Sequence, residues 1–125
     1  MPDEGGFGER AAYSRAVRSG IYVAVSATAS LVEGDVSHVG DAYGQAKEAI
    51  SRALAAAAEL GADVEDVLRT RLLLAPGCDW MEVIRAHRGV FAGSPPANTT
   101  YFVGGFVPEG VLVEVEIDAV LSAIV

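Results

Sequence analysis

The segment between Gly40 and Gly61 constrains the fold more than any other part of the sequence. Asp41 is suited to cap the N-terminus of a helix, and Gly61 is suited to follow its last residue. Because most of the apolar face is alanine, such a helix can lie close against a sheet. The apolar residues recur at spacings of three and four, the period of one helix face, and they are Ala42, Ala46, Ala49, Ile50, Ala53, Leu54, Ala57 and Leu60.

Short apolar runs on either side of this helix predict strands. Residues 16–18 and 21–28 are separated by Ser19-Gly20, which is typical of two strands joined by a tight turn. Residues 69–74 predict a further strand that ends at the Pro76-Gly77 turn. Residues 31–39 predict a loop, because Glu33-Gly34-Asp35 is a turn signal.

The last part of the chain predicts a hairpin. One strand runs from Thr99 to Val107, Pro108-Glu109-Gly110 forms the turn, and the other strand runs from Val111 to Val120. The last strand alternates strictly, so its side chains point to two different faces. One face receives Val111, Val113, Val115, Ile117 and Ala119, and the other receives Leu112, Glu114, Glu116, Asp118 and Val120.

A second helix is predicted over about residues 79–91, and residues 92–96 end it because they include Pro95-Pro96. Its apolar stripe consists of Trp80, Val83, Ile84, Val90 and Phe91. The order of elements predicts an α+β fold, with one mixed sheet and both helices on one face. Residues 1–11 are polar and glycine-rich and predict a flexible arm, so that 12–125 form a single domain.

Charge and cysteine content exclude several classes of function. The chain has 125 residues and a formal net charge of −8, which repels phosphate backbones and disfavours binding to nucleic acid. A single cysteine, Cys78, excludes an intrachain disulfide and a multi-cysteine zinc site. No run of apolar residues is long enough for a membrane span, and the N-terminus lacks the pattern of an export signal. We therefore expect a cytoplasmic protein with no metal and no membrane partner.

The sheet face opposite the helices is predicted to carry charge. Two basic residues, Arg69 and Arg71, share one face of their strand. Glu114, Glu116 and Asp118 lie two residues apart on the last strand and repel one another unless cations intervene. This pattern predicts an Arg–carboxylate ladder. Since residues 21–26 are mostly apolar on both sides, we expect this face to meet another subunit, although a solvated face is the alternative.

Few side chains have a pattern that points to catalysis. Glu114 could move a proton or orient a water if it lies in a dry cleft, but it could equally be an ordinary carboxylate on a polar strand face. His87 is a candidate proton carrier or a helix-surface residue. Ser26 lacks the partners of a serine hydrolase, so its expected role is to donate a hydrogen bond to a ligand. Asn98 and Thr100 could bind a carbonyl or hydroxyl group, or simply begin a strand.

The sequence resembles the Rid (reactive intermediate deaminase, YjgF-like) family from about Tyr13 to Val120. The order and spacing of several segments carry this resemblance more than any one of them. They are Tyr13-Ser14-Arg15-Ala16-Val17, Ile21-Tyr22-Val23-Ala24-Val25-Ser26, the ten residues from Gly61 to Thr70, Pro96-Ala97-Asn98-Thr99-Thr100, and the nine residues from Leu112 to Val120.

The resemblance implies a chorismate-mutase-like fold and a homotrimer with small-molecule sites between its subunits. In the best-known members these sites hydrolyse enamine or imine intermediates to 2-oxo acids and ammonia, without a cofactor. Tyr13 and Ser26 match a tyrosine and a serine of the family's site, and Glu114 matches the acid on the last strand.

One departure from the family concerns the substrate's carboxylate. Deaminating members have an arginine that binds this carboxylate, whereas this chain has Asn98, so it resembles the branches that lack the arginine. Another arginine, such as Arg15, Arg71 or Arg85, could take its place. The hypothesis is a Rid-like enzyme that acts on a small reactive or carbonyl-bearing metabolite. Glu114 would be catalytic, and the pocket would be formed by Tyr13, Ser26, Asn98, Thr100 and His87. The alternative is a non-catalytic, small-molecule-binding or chaperone-like trimer.

Overall fold

A computed structural model describes residues 7–122 of the protein. The strands are β1 (Ala16–Ser19), β2 (Tyr22–Ala29), β3 (Leu31–Val32), β4 (Asp35–Val36), β5 (Val67–Leu74), β6 (Ala97–Phe102) and β7 (Val113–Val120). The helices are α1 (Phe7–Ala11), α2 (Ala42–Glu59) and α3 (Trp80–Phe91), with a 3₁₀ turn at Val64–Asp66. Five strands form a mixed sheet in the order β1-β2-β7-β5-β6, and β3 and β4 form a separate small hairpin.

The long helix lies on the sheet as its alanine face predicts. The side chain of Asp41 accepts a hydrogen bond from the Gly44 amide, 2.9 Å away, and so caps α2. At the other end Gly61 has a φ of +98°, a conformation that favours glycine. The helix contacts β2, β7 and α3. The buried residues of its inner face include Ala46, Ala49, Ile50, Ala53 and Ala57. The predicted α+β fold, with both main helices on one face, is confirmed.

The predicted C-terminal hairpin is wrong. The strand predicted at Thr99–Val107 is Ala97–Phe102, and it pairs in parallel with β5 at the edge of the sheet. Strand β7 instead lies in the centre, antiparallel to both β2 and β5. The helix α3 supplies the crossover that a parallel β5–β6 pair requires. Residues 103–112 then carry the chain back across β5, and the alternation within β7 does not specify which neighbours it pairs with.

Three smaller features were not predicted. Phe7–Ala11 forms a short helix within the segment predicted as an arm, and the Tyr13 amide donates to the carbonyl of the buried Gly8, while residues 1–6 lie outside the described part of the chain. The predicted loop at 31–39 contains the β3–β4 hairpin. Trp80 is 52% exposed and Ile84 is 37% exposed, so neither belongs to the core.

The sheet face that α2 and α3 leave uncovered, called the open face below, carries the predicted charges. Arg71 Nη1 lies 3.0 Å from Asp118 Oδ2 and 3.5 Å from Glu116 Oε1, which confirms part of the predicted ladder. Arg69 instead donates to the Thr99 hydroxyl, at 3.3 Å. Within residues 7–122, no helix is both long and apolar enough to cross a bilayer.

Candidate functional site

A cleft of about 410 Å³ lies beside Glu114 on the open face. Its walls come from the segment that precedes β1, from β2 and the start of β3, from the loop that precedes β7, and from β7 itself. We call it the Glu114 cleft. Its lining residues are Ala11, Tyr13, Arg15, Ala27, Ala29, Leu31, Gly105, Phe106, Val107, Pro108 and Glu114.

Strand alternation and an irregularity in β2 together create this cleft. Val113 and Val115 are fully buried towards the helices, so Glu114 between them points to the open face. Glu114 pairs with Ala29 of β2, and the register of β2 shifts between Val25 and Thr28. The shift places both Ala27 and Ala29 in the lining. Since alanine side chains are small, space remains in front of the carboxyl group.

Burial raises the pKa of the Glu114 carboxyl above its ordinary value. The positive charge of Arg15 opposes this rise, and the negative charge of Glu116 adds to it. A carboxyl group in this environment holds its proton to a higher pH than an exposed one. Such a carboxyl group is a candidate general acid or base.

Arg15 is the basic residue that lines the Glu114 cleft. Its Nη1 atom donates to the Ala27 carbonyl and to the Thr28 hydroxyl, each at 2.9 Å. Thr28 is buried, and its hydroxyl donates in turn to the Ser26 carbonyl at 2.8 Å. These contacts hold the guanidinium group against the irregular part of β2.

The other predicted residues on this side play different parts. Tyr13 lines the cleft and is partly exposed. Ser26 is not among the lining residues, and its hydroxyl donates to the Ser14 carbonyl at 2.8 Å. The Ser26 amide also donates to the Arg15 carbonyl at 2.9 Å. In this structure Ser26 therefore fixes the segment that carries Tyr13 and Arg15.

A second cleft, of about 350 Å³, lies between α3 and the edge strand β6. We call it the Asn98 cleft. Its walls are mostly apolar and aromatic, and the polar groups of its described lining residues are an amide, two hydroxyl groups and the indole N–H of Trp80. The lining residues are Leu74, Trp80, Ile84, Asn98, Thr100, Tyr101 and Phe102. Trp80 and Ile84, which are missing from the core, form one wall of this cleft.

A chain of hydrogen bonds connects four polar side chains at the Asn98 cleft. The Thr100 hydroxyl donates to Asn98 Oδ1 at 2.7 Å, and Asn98 Nδ2 donates to Thr70 Oγ1 at 3.0 Å. Thr70 is fully buried, and its hydroxyl lies 2.7 Å from His87 Nε2. Burial lowers the pKa of His87, which favours the neutral ring, and either group of the Thr70–His87 hydrogen bond can then be the donor. Both ends of the Asn98 amide are thus engaged within the protein.

The two clefts lie on opposite faces of the sheet. Asn98 pairs with Thr70, whose side chain points towards the helices, and the contact between these side chains places Asn98 on that face. Glu114 points to the open face. The structure thus brings Tyr13 together with Glu114, and Asn98 together with Thr100 and His87. It does not bring the two groups together within one chain.

Two features of the site escaped sequence reasoning. Thr70, the centre of the hydrogen-bond chain, appeared only as one residue of a predicted strand, although its place between Arg69 and Arg71 puts its side chain on the face opposite to theirs. Residues 105–108 were assigned to a hairpin, whereas they form a wall of the Glu114 cleft. Among residues 7–122, no group of three or more His, Cys, Asp or Glu side chains is placed to hold a metal ion. Cys78 is buried, and its burial raises the pKa of the thiol.

Comparison with known proteins decides the family. The sequence profile of the family described as Endoribonuclease L-PSP matches residues 7–121. The chain belongs to this family, which is the YjgF or Rid family of the sequence analysis. Rv2704 of Mycobacterium tuberculosis, a member of the YjgF/YER057c/UK114 family, superimposes with a TM-score of 0.82 at 32% identity, with 93% of this chain and 92% of Rv2704 covered.

Two further relatives of this YjgF-family protein extend the comparison. The Streptomyces coelicolor protein SCO2049 is 40% identical over 113 residues, which cover 90% of this chain and 84% of that protein. Escherichia coli TdcF with bound serine superimposes with a TM-score of 0.78 over 88% of both chains. Because TdcF is 21% identical, this likeness shows the fold alone.

Proposed function

We propose that this YjgF-family protein is an enzyme that acts without a cofactor on a small reactive or carbonyl-bearing metabolite. The reaction is hydrolysis, of which imine or enamine deamination is one case, or tautomerisation. The observation that carries the proposal is the half-buried Glu114 carboxyl, with its raised pKa, beside Tyr13 in an open cleft of about 410 Å³. Each of these reactions needs a group that can both take and give a proton.

For imine hydrolysis, the steps would run through Glu114. Its carboxylate removes a proton from a water molecule as the water oxygen bonds to the imine carbon, and the carboxyl group then gives that proton to the nitrogen, which yields a carbinolamine. The carboxylate next takes the proton of the new hydroxyl group and passes it to the nitrogen as the carbon–nitrogen bond breaks, so the carbonyl product and ammonia leave. Tautomerisation uses the same group to move a proton from one atom of the substrate to another. Neither reaction consumes anything other than water.

We propose further that the complete site lies between subunits of a homotrimer. Within one chain, the Glu114 and Asn98 clefts are on opposite sheet faces, so a single copy cannot surround one small molecule with both. The Asn98 cleft is at the edge of the sheet, where Tyr101 and Phe102 are exposed. A second copy could place its Glu114 cleft against this edge, and burial of these aromatic rings would favour the contact.

The test of the function is hydrolysis of 2-aminoacrylate, generated in the assay by a pyridoxal-phosphate enzyme. The expected result is faster release of ammonia and 2-oxo acid with the wild-type protein than without it. Asn98→Arg serves as a comparison, because it restores the arginine of deaminating relatives. If only Asn98→Arg is active, the site is intact and the natural substrate lacks that carboxylate. The search then turns to neutral carbonyl compounds.

The alternative is a non-catalytic small-molecule-binding or chaperone-like trimer. The internal hydrogen bonds of the Asn98 amide favour this alternative, because an amide that is already bonded to Thr70 and Thr100 is less able to hold a substrate. Glu114→Gln separates the two functions. If the protein is an enzyme, this variant loses turnover but still binds the ligand. If it is a binding protein, the variant binds the ligand as well as the wild type does, and neither protein turns the ligand over.

The family's description names an endoribonuclease, so RNA cleavage needs its own test. We expect no cleavage and no binding of RNA, because the net charge of −8 repels phosphates. Incubation with single-stranded RNA at low salt, where electrostatic attraction is strongest, checks this. The cytoplasmic location remains a prediction, which fractionation of the source cells would test.

A further inference from the structure

We infer that Arg15 binds the negative charge of the ligand in the Glu114 cleft, and that this ligand is a small molecule with one carboxylate group. This inference rests on the proposed function for the location of the site. Beyond the proposed function, it specifies the charge of the ligand and the residue that binds that charge. Asn98, on the other face of the sheet, then contributes no charge to recognition.

The first argument is the charge distribution in the cleft. Among residues 7–122, Arg15 is the one Lys or Arg that lines the cleft, and most of the other lining residues are apolar or small. The chain as a whole carries a net charge of −8, so an anion approaches it against repulsion. An anion can therefore bind stably only where a local cation outweighs that repulsion, and apolar walls strengthen the local attraction.

The second argument is the rigidity of the arginine. Its Nη1 atom donates to the Ala27 carbonyl and the Thr28 hydroxyl, both at 2.9 Å. The backbone of Arg15 is fixed as well, because its carbonyl accepts from the Ser26 amide. A guanidinium group held in one position loses little conformational entropy when it binds a carboxylate. Surface arginines such as Arg85, which pairs with Glu82 on an exposed helix face, lack this enclosure.

The third argument is that the acid in the cleft permits an anion nearby. Glu114 would repel a carboxylate ligand if it were fully ionised. Its burial raises the pKa of the carboxyl group, which shifts the balance towards the neutral form and weakens that repulsion. A carboxylate bound close by would raise the pKa of Glu114 further. When ionised, Glu114 is then a stronger base towards the water of the proposed reaction.

The experiment measures binding by isothermal titration calorimetry, with pyruvate and pyruvamide as probes. These molecules differ mainly in charge, and neither is consumed. The wild-type protein should bind pyruvate and bind pyruvamide more weakly. Arg15→Gln should weaken pyruvate binding by roughly 10- to 100-fold, the range for a hydrogen bond to a charged group, and leave pyruvamide binding nearly unchanged.

Two further variants keep the result interpretable. Arg15→Lys retains the charge and should recover much of the pyruvate affinity, which a purely structural role of Arg15 would not predict. Arg85→Gln removes an arginine outside the cleft and should change nothing. Thermal unfolding of each variant shows whether the fold is kept.

Three results would overturn the inference. Pyruvate affinity could be the same in Arg15→Gln as in the wild type, pyruvamide could bind as tightly as pyruvate, or neither could bind. Failure of the proposed function looks different: pyruvate would bind through Arg15, but no imine or carbonyl compound would be turned over.

Discussion

The Glu114 cleft and the Asn98 cleft belong to one small domain but differ in their chemistry. The first contains Arg15 and a carboxyl group with a raised pKa. Among the described residues, the polar groups that line the second are neutral, Asn98 bonds to Thr100 and Thr70, and aromatic rings surround them. Under the proposed function, the first cleft would supply charge and proton transfer, and the second would supply shape and orientation.

The largest effect that this comparison predicts comes from the proton carrier. Glu114→Gln should lower turnover by roughly 100- to 10,000-fold, the usual contribution of a general acid or base, while ligand affinity changes little. Steady-state kinetics on the 2-aminoacrylate assay measures it. The matched control is Glu116→Gln, since Glu116 lies on the same face but pairs with Arg71. Equal losses of turnover in both variants would show that turnover depends on the negative charge of the open face in general and not on the carboxyl group in the cleft.

The next effect concerns the wall of the Glu114 cleft. Buried Gln45 donates from Nε2 to the Gly110 carbonyl at 3.1 Å and accepts from the Leu112 amide at 2.9 Å, which anchors the loop that contains residues 105–108. Gln45→Leu should lower the free energy of unfolding by about 2–3 kcal/mol, because buried groups lose their partners. Urea denaturation measures this, with the exposed Ser51→Ala on the same helix as control. No loss of stability would mean that the loop does not depend on Gln45.

A somewhat smaller effect is expected at the centre of the Asn98 cleft. Thr70→Val keeps the shape but removes the oxygen that bonds both Asn98 and His87. The free energy of unfolding should fall by about 1–2 kcal/mol. Thr99→Val, on the same sheet but exposed, should cost less. If the two variants unfold alike, the hydrogen-bond chain contributes nothing to stability.

The smallest effect is a contrast in pH dependence between the clefts. The pKa of Glu114 is raised from its ordinary value of 4.5, so its stabilising contribution is complete below that pH and is lost as the pH rises through the folded-state pKa. The pKa of His87 is lowered from 6.5, so its contribution is present above that pH and is lost as the pH falls through the folded-state pKa.

Thermal unfolding across pH of Glu114→Gln and His87→Gln, each compared with the wild type, measures this contrast. As the pH rises, the stability of Glu114→Gln should increase relative to that of the wild type. As the pH falls, the stability of His87→Gln should increase relative to that of the wild type. If the stability differences between the variants and the wild type do not vary with pH, the pKa shifts that we assign to burial are wrong.

Local patterns in the sequence predicted most of the fold. The periodicity of residues 42–60 gave the helix α2, and the alternation of residues 111–120 gave the two faces of β7 correctly. The pairing of β6 was missed, because parallel and antiparallel neighbours leave similar patterns in a short strand. Trp80 and Ile84 belong to the predicted apolar stripe of α3 but are not buried, because spacing alone cannot tell a buried stripe from the wall of a cleft.

The candidate site was predictable only in part, because sequence patterns do not specify which strands pair or in which register. Resemblance to the Rid family named Tyr13, Glu114 and Asn98, but only the register of β5, β6 and β7 shows that they lie on opposite faces. Ser26 was expected to reach a ligand, whereas the irregularity in β2 turns its hydroxyl to the Ser14 carbonyl. Such irregularities depend on tertiary pairing and leave little trace in sequence.

The central claim is that Glu114 of one copy and the Asn98 cleft of a neighbouring copy form a single site. Mixing two inactive variants tests it directly: Glu114→Gln, which lacks the proton carrier, and Thr100→Trp, which fills the Asn98 cleft. If sites are shared, co-assembled protein should regain roughly one quarter of the wild-type rate on 2-aminoacrylate, because one site in four combines two intact halves. A mixture no more active than either variant alone would contradict the claim.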